Sequence, residues 1–429
     1  MGKFLRILLG IGLVLVRVGE ARAQLDNSAF ISSRPGHKVD TLLIGLTKEI
    51  WNGENYTIPK VYSDSIDKIN QRRQRSLFST PAQSGELRLS LNVFTFFKDN
   101  EYFNKIADGY TLFGTQLNPQ LVYYPSKDLR LEAGVFLWKD FGNPQLQQVR
   151  PTYRATWTVK NSQFILGNIR PHLNHNYIEP LFNFERVMLK PLEEGLQYRH
   201  LGNRLFMDVW VDWLRQQYRY SNYQEEIAGG VSSSYCLVGA DSRWRVALPF
   251  QFTGQHHGGQ IDTLNKPLQT LFNEAAGLEI RHSVSGSRTR ALRLSAYVVG
   301  YQNYSFTHGQ LPYLYGRALY LNTALETRYG TVMLSYWQGQ RFISSLGGDL
   351  FQSLSRTVSD PAYTETNRRI LLLRLLRDFR ISDAAALTVR VEPVYDLNAR
   401  LLDFSFGIYL NFRQEWLLGN VGQRVRVGQ

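Results

Sequence analysis

Between about residue 87 and residue 412, apolar and polar positions alternate in runs of roughly ten residues, each closed by a turn. Leu129, Leu131, Ala133, Val135 and Leu137 alternate with Arg130, Glu132, Gly134, Phe136 and Trp138. Near the C-terminal end, Phe404, Phe406, Ile408, Leu410 and Phe412 alternate with Asp403, Ser405, Gly407, Tyr409 and Asn411. Strand side chains point to opposite faces with period two, so each run has one apolar face and one polar face. The pattern predicts strands over 87–97, 111–124, 129–138, 149–159, 163–169, 195–200, 204–213, 228–238, 243–254, 273–284, 289–301, 317–329, 331–342, 368–379, 385–395 and 401–412. Run 368–379 is apolar on both faces and is also compatible with a short helix.

The connections sort themselves. Short turns follow the even strands and longer loops follow the odd ones. One set of stripes lacks charge, as in Trp244, Val246, Leu248, Phe250 and Phe252, or in Leu387, Val389, Val391, Pro393 and Tyr395. An even strand number, sorted loops and an uncharged outer stripe predict a transmembrane antiparallel β-barrel of about sixteen strands, with short periplasmic turns and longer outer loops. The chain is then one barrel domain over 86–412, expected in the bacterial outer membrane.

The ends read differently. Lys3 and Arg6 precede the apolar run 7–16, and Ala21-Arg22-Ala23 offers a small-x-small cleavage site, so 1–23 is expected to be a secretory signal peptide. Residues 24–85 show little alternation and are expected to form a periplasmic extension or a plug; 413–429 are expected to be a periplasmic tail. Aromatic residues make up 13% of the chain, which suits a barrel with aromatic girdles at both interfaces. A single cysteine, Cys236, excludes an intramolecular disulfide. The net charge of +13 points, in an exported chain, to lipopolysaccharide or anionic solutes and not to nucleic acid.

Candidate chemistry follows from the inward stripes. The residues expected to line a pore are Arg130, Arg150, Arg154, Arg199, Arg243, Arg245, Arg281, Arg293, Arg328 and Arg390, opposed by acids including Glu132, Asp208 and Asp212. Guanidinium groups suit phosphate and carboxylate through bidentate contacts. The long segment 170–194 is the candidate constriction loop, with Arg170, His172, His175, Glu179, Glu185 and Arg186 at the eyelet. An outer-surface loop without a role in permeation fits that segment equally well. His172, His175 and Glu179 have ligand-like spacing, but Pro171 and Pro180 argue against a helix presenting all three, and His256-His257 is an isolated pair. No hydrolase, phosphate-loop or zinc-protease motif is present. The reading is therefore a barrel without catalytic residues, metal or cofactor.

The stretch 164–213 resembles the phosphate-selective porin O/P family. The resemblance lies in Phe164-Ile165-Leu166-Gly167-Asn168-Ile169, in Phe184-Glu185-Arg186, and in Glu194-Gly195-Leu196-Gln197-Tyr198 entering the next strand. It implies passive uptake of anions through a trimer of sixteen-stranded barrels. Two features depart from that family: acids are mixed into the arginine ladder, and Phe412 and Trp416 are followed by a basic tail instead of a terminal aromatic residue. The expected function is diffusion of small hydrophilic solutes. The alternative is a non-conducting barrel within a secretion, motility or assembly complex of the envelope.

Overall fold

The computed structural model describes residues 84–421, apart from 203, 239–242, 263–265, 285–288, 306–309 and 383, and apart from the side chain of Arg380. The expected signal peptide, nearly all of the expected extension, and 422–429 lie outside the described residues.

Sixteen antiparallel strands pair in chain order, and β1 (Glu86–Glu101) pairs with β16 (Leu401–Asn420) to close the barrel. The strands between are β2 (Tyr110–Ser126), β3 (Leu129–Asp140), β4 (Gln148–Val159), β5 (Ser162–Asn168), β6 (Glu194–Leu201), β7 (Leu205–Arg215), β8 (Glu226–Val238), β9 (Trp244–His257), β10 (Gln269–Ser283), β11 (Thr289–Asn303), β12 (Tyr315–Thr327), β13 (Thr331–Gln340), β14 (Asn367–Arg380) and β15 (Ala385–Asp396). Closure leaves no free sheet edge around most of the circumference, which hydrocarbon demands because it offers no hydrogen bonds.

Residues 368–379 form the expected strand and not the alternative helix: Arg368, Ile370, Leu372, Arg374, Leu376 and Asp378 are buried on one face. Two local readings change. The strand ending the barrel runs eight residues past Phe412, to Asn420, so the tail expected from 413 begins later. His256 and His257 belong to β9 rather than to a loop, and His256 Nδ1 lies 2.8 Å from the Thr270 hydroxyl.

The outer face follows the sequence pattern. Leu131, Leu248, Phe250, Val298 and Ile408 are exposed, while their neighbours Arg130, Glu132, Arg245, Gln251, Tyr297 and Tyr409 are buried inside.

The interior departs from the expected wet lumen. Two long connections, 169–193 and 341–366, fold inward from the long-loop end and meet. Asn183 N–H donates to Leu346 O at 2.7 Å, and Gly348 N–H donates to Glu179 O at 2.9 Å. At the crossing, a Cβ on Gly347 would lie 1.9 Å from Pro180 O, so only glycine fits. Ile178, Leu181 and Phe182 from one loop join Phe342, Ile343, Leu346 and Phe351 from the other in one apolar core with Trp210, Tyr320 and Trp337 of the wall. Trp337 meets Phe342 and Phe351 edge-on at 5.0 and 5.3 Å. Aromatic residues on inward stripes pack against these loops.

Val298 is 68% exposed on the outer face of β11. Val298→Arg should cost about 2–4 kcal/mol in lipid vesicles if it sits near the midplane. Unfolding followed by heat-modifiable gel mobility measures it; an unchanged midpoint would place this face outside hydrocarbon.

Candidate functional site in the barrel interior

The barrel wall is uneven. Strands β5 and β6 have 7 and 8 residues, against 12 and 11 in the flanking β4 and β7. Pairing between β4 and β5 covers only Arg154↔Gly167 through Val159↔Ser162, so 148–153 of β4 have no strand beside them on that flank. The result is a notch in the wall at the long-loop end. Its exposed edge is managed locally. Tyr153 N–H donates to the Asn168 side-chain oxygen at 2.7 Å, and Pro151, two residues along and so facing the same way, has no N–H to satisfy. Arg154 Nε donates to Asn168 O, and Arg150 and Glu194 form a half-exposed ion pair at 2.6 Å.

Loop 169–193 enters the barrel at this notch. It forms a 3-10 turn, His172–His175, and one short helix, α1 (Arg186–Leu189). His172 holds φ at 56°, a left-handed conformation uncommon for a non-glycine residue and often found at functional sites. Glu193, where the loop rejoins the wall, binds both histidines. His172 Nδ1 lies 3.1 Å from its Oε1, and His175 Nε2 lies 2.8 Å from its Oε2. His175 also faces Asp208 at 3.4 Å and stacks on Trp210 at 4.5 Å. Arg199 bonds Asp208 at 3.2 Å and reaches Asn174 O. Both ring nitrogens of His172 are buried and neither makes an aligned hydrogen bond, Nδ1 lying within ion-pair distance of Glu193. The residue lines a cavity of about 120 Å³ with Glu193, Arg154, Asn168, Asn118 and Gln120.

All six expected loop residues come inside, but not to one eyelet. Arg170 is buried and its backbone is held by Gln197 on β6. Glu179 crosses to Arg374 and Arg390 on the far wall. Glu185 meets Tyr110, Asn100 and Lys98. Arg186 sits 4.0 Å from Glu193 and over the Phe182 ring.

Most of the expected pore-lining residues do face inward, where they pair with acids. Arg130 bonds Glu132 and Glu415; Arg154 faces Glu132; Arg281 and Arg293 share Glu326; Arg390 bonds Glu392. Arg245 is buried, and Asp212 accepts the Glu194 N–H. Arg243 and Arg328 do not line the lumen. Both are exposed beside short turns, where the inside–outside parity of the strands ends. Arg150 stands at the notch.

Sequence reading missed Glu193 and Arg374. Extending the parity of β6 back by one residue places Glu193 inward with Gln197 and Arg199. Arg374 was hidden by the apolar run of β14. Among the described residues, no group of three His, Cys, Asp or Glu is arranged to hold a metal.

Burial opposes a charge on His175, but Glu193 and then Asp208 outweigh it and raise its pKa from 6.5 to about 9. A basic group with a raised pKa stabilises the fold fully below its ordinary value and loses that contribution as pH rises through the folded one. The detergent-solubilised barrel should therefore lose stability between about pH 6.5 and 9, and His175→Gln should flatten the slope. An unfolding midpoint that is level across this window in the wild type would contradict the assignment.

No curated protein is similar to the chain by sequence. Among solved structures it is similar to the outer membrane protein OprD from Pseudomonas aeruginosa (9% identity, 80% of this chain and 98% of that one, TM-score 0.47). It is also similar to OmpT, an outer membrane protein of Vibrio cholerae (8%, 78% and 99%, TM-score 0.45), and to opdK from P. aeruginosa (9%, 78% and 100%, TM-score 0.44). At these identities and TM-scores the likeness carries no argument about this chain, whose closed sixteen-stranded barrel stands on its own strand pairing. The model of the family described as lipid A 3'-O-deacylase-type matches residues 79–421, a span that contains every strand. That finding corrects two expectations: the family is not the phosphate-selective porins, and it is an enzyme family, so the non-enzymatic reading falls. The chain belongs to the lipid A 3'-O-deacylase-type family.

Proposed function

We propose that this barrel hydrolyses an acyl ester of an outer-leaflet glycolipid, the lipid reaching the interior sideways through the notch. The observation that carries the reading is the buried His172–Glu193 pair, 3.1 Å apart, on a mostly apolar cavity beside loop 169–193 that also carries Arg154, Asn168, Asn118 and Gln120. A histidine oriented by a carboxylate is suited to general-base work. His172 Nε2 accepts a proton from water as the water oxygen bonds to the ester carbonyl carbon. Glu193 stabilises the imidazolium. The tetrahedral intermediate then expels the alkoxide, which takes the proton from His172, and the products are a fatty acid and the free hydroxyl. Arg154, paired with Glu132 and bonded to Asn168 O, fixes the cavity wall beside the reacting carbonyl.

Mass spectrometry of outer-membrane glycolipid from cells with and without the chain tests this. One acyl chain should be lost when the protein is present. His172→Ala should reduce that loss by roughly 10²–10⁴-fold, the usual contribution of a general base, while retaining folded gel mobility. An acyl pattern independent of the chain would end the proposal.

A second reading, passive diffusion of small hydrophilic and anionic solutes, is favoured by the inward arginine and carboxylate ladder. The two inward loops that meet inside the barrel stand against it. In planar bilayers the wild-type barrel should give no discrete conductance; regular current steps would restore the diffusion reading.

A further inference from the structure

Loop 169–193 carries two histidines, and the proposed step uses only His172. His175 is the deeper of the two. Its Nε2 lies 2.8 Å from Glu193 Oε2, and its Nδ1 lies 3.4 Å from Asp208 Oδ2. Glu193 therefore stands between the histidines, with Oε1 facing His172 Nδ1 at 3.1 Å and taking the His172 backbone N–H at 3.4 Å. Asp208, on β7, is held in turn from β6, by Arg199 Nε at 3.2 Å and by the Gln197 amide at 3.0 Å. The groups form one connected series, His172–Glu193–His175–Asp208–Arg199, of which the last four are fully buried. Trp210 stacks on the His175 ring at 4.5 Å, and Tyr177 and Phe182 lie against it.

A buried carboxylate persists as an anion only where a cation offsets it. This series holds two carboxylates, Glu193 and Asp208. Two cations can offset them: the Arg199 guanidinium and a doubly protonated His175. Both ring nitrogens of His175 face carboxylate oxygens, so both are placed to donate, as in an imidazolium. Burial opposes that charge, but Glu193 and then Asp208 outweigh it. Burial likewise opposes a charge on Glu193, while His175 and then His172 hold its carboxyl well below the usual carboxylate range. Two further charges near Glu193, Arg186 at 4.0 Å and Asp212, are opposite in sign, and Arg154 is committed to Glu132. The four buried groups thus balance, which leaves no carboxylate for a charge on His172 to offset. An anionic oxygen 3.1 Å from His172 Nδ1 would repel a lone pair there, so the ring proton belongs on Nδ1 and the lone pair on Nε2.

We infer that His175 is a positioning residue for the step at His172: as the imidazolium between Glu193 and Asp208 it keeps Glu193 anionic, and that anion fixes His172 with its proton on Nδ1 and its lone pair on Nε2. The inference rests on the proposed hydrolysis for what His172 does, and on the contacts alone for where the protons sit. His175 does not line the cavity, so it acts through Glu193. Without a cation at position 175 the series carries one negative charge in excess. His172 is the neighbouring base able to take up a proton, and it then becomes the imidazolium that offsets Glu193. Its Nε2 is protonated in that state and cannot accept a proton from water.

The test isotope-labels the histidine ring nitrogens of the full barrel, folded in detergent, and reads their NMR resonances at neutral pH. His172→Gln and His175→Gln assign the signals. In the wild type, His175 should show two protonated nitrogens, and His172 one protonated nitrogen and one lone pair. A lone pair on His175, or a doubly protonated His172, overturns the proposal without any variant having to fold. In His175→Gln, His172 should show two protonated nitrogens; His175→Lys, which restores a cation, should return its lone pair. Folded gel mobility identifies a variant that fails to assemble, and the wild-type spectrum then decides. Ester hydrolysis gives a second readout. His175→Gln should lower the rate at neutral pH about tenfold, the effect of a neighbouring charge on a titrating group, and the rate should recover as pH rises, which lost packing alone would not produce. An unchanged His172 spectrum and pH profile in folded His175→Gln overturns the proposal and leaves hydrolysis in place. If the resonances follow the expected pattern in a barrel that cleaves no ester, the positioning stands and the hydrolytic reading falls.

Discussion

The backbone hydrogen bonds of this protein have no solvent to turn to, and that constraint organises everything else. In hydrocarbon each N–H and C=O needs a partner from the chain itself. Sixteen strands closed by the pairing of β1 with β16 provide it around nearly the whole circumference. The exception is the upper flank of β4, where β5 stops short. There the chain substitutes a side-chain acceptor, Asn168, and a residue without an N–H, Pro151. A break in the ladder maintained by such specific local means coincides with the entry of loop 169–193, the left-handed His172 and the cavity it lines. Structure and candidate chemistry meet at the same defect.

The barrel was legible because its signal is repeated and one-dimensional. Period-two alternation places Leu131, Phe250 and Ile408 outside and Arg130, Gln251 and Tyr409 inside without any knowledge of tertiary contacts. Turn and loop lengths supply the topology. The β14 run was ambiguous for a physical reason: Ile370, Leu372 and Leu376 face inward, into a core that alternation alone treats as water. The interior was not legible. Whether an inward Trp337 or Tyr320 meets solvent or Phe351 depends on how the loop after β13 folds back into the barrel and meets loop 169–193. The same limit applies to the arginines. Sequence shows their parity, but not that Arg374 and Arg390 reach across to Glu179, or that Arg154 is held at the root of the loop.

The ion pairs show that inward arginine parity alone is no measure of an anion-attracting lumen. Buried guanidinium groups paired with carboxylates present little net field, and their value lies in fixing geometry. Glu179 and Glu185 moor one inward loop to the same side of the wall, where Lys98 lies between Glu185 and Glu392, while Glu193 ties its end to two histidines. Rigid mooring suits a preorganised site more than a passage that solutes must cross. Membership of an enzyme family accords with that arrangement.

The central claim is that a lipid ester reaches the interior through the wall at the shortened hairpin. Its most direct test is an experimental structure of the barrel with a glycolipid whose ester is replaced by an uncleavable amide. The account predicts the amide carbonyl beside His172, with its acyl chain leaving between β4 and β7. Lipid density confined to the outer circumference, with the cavity behind Asn168 still empty, would contradict it.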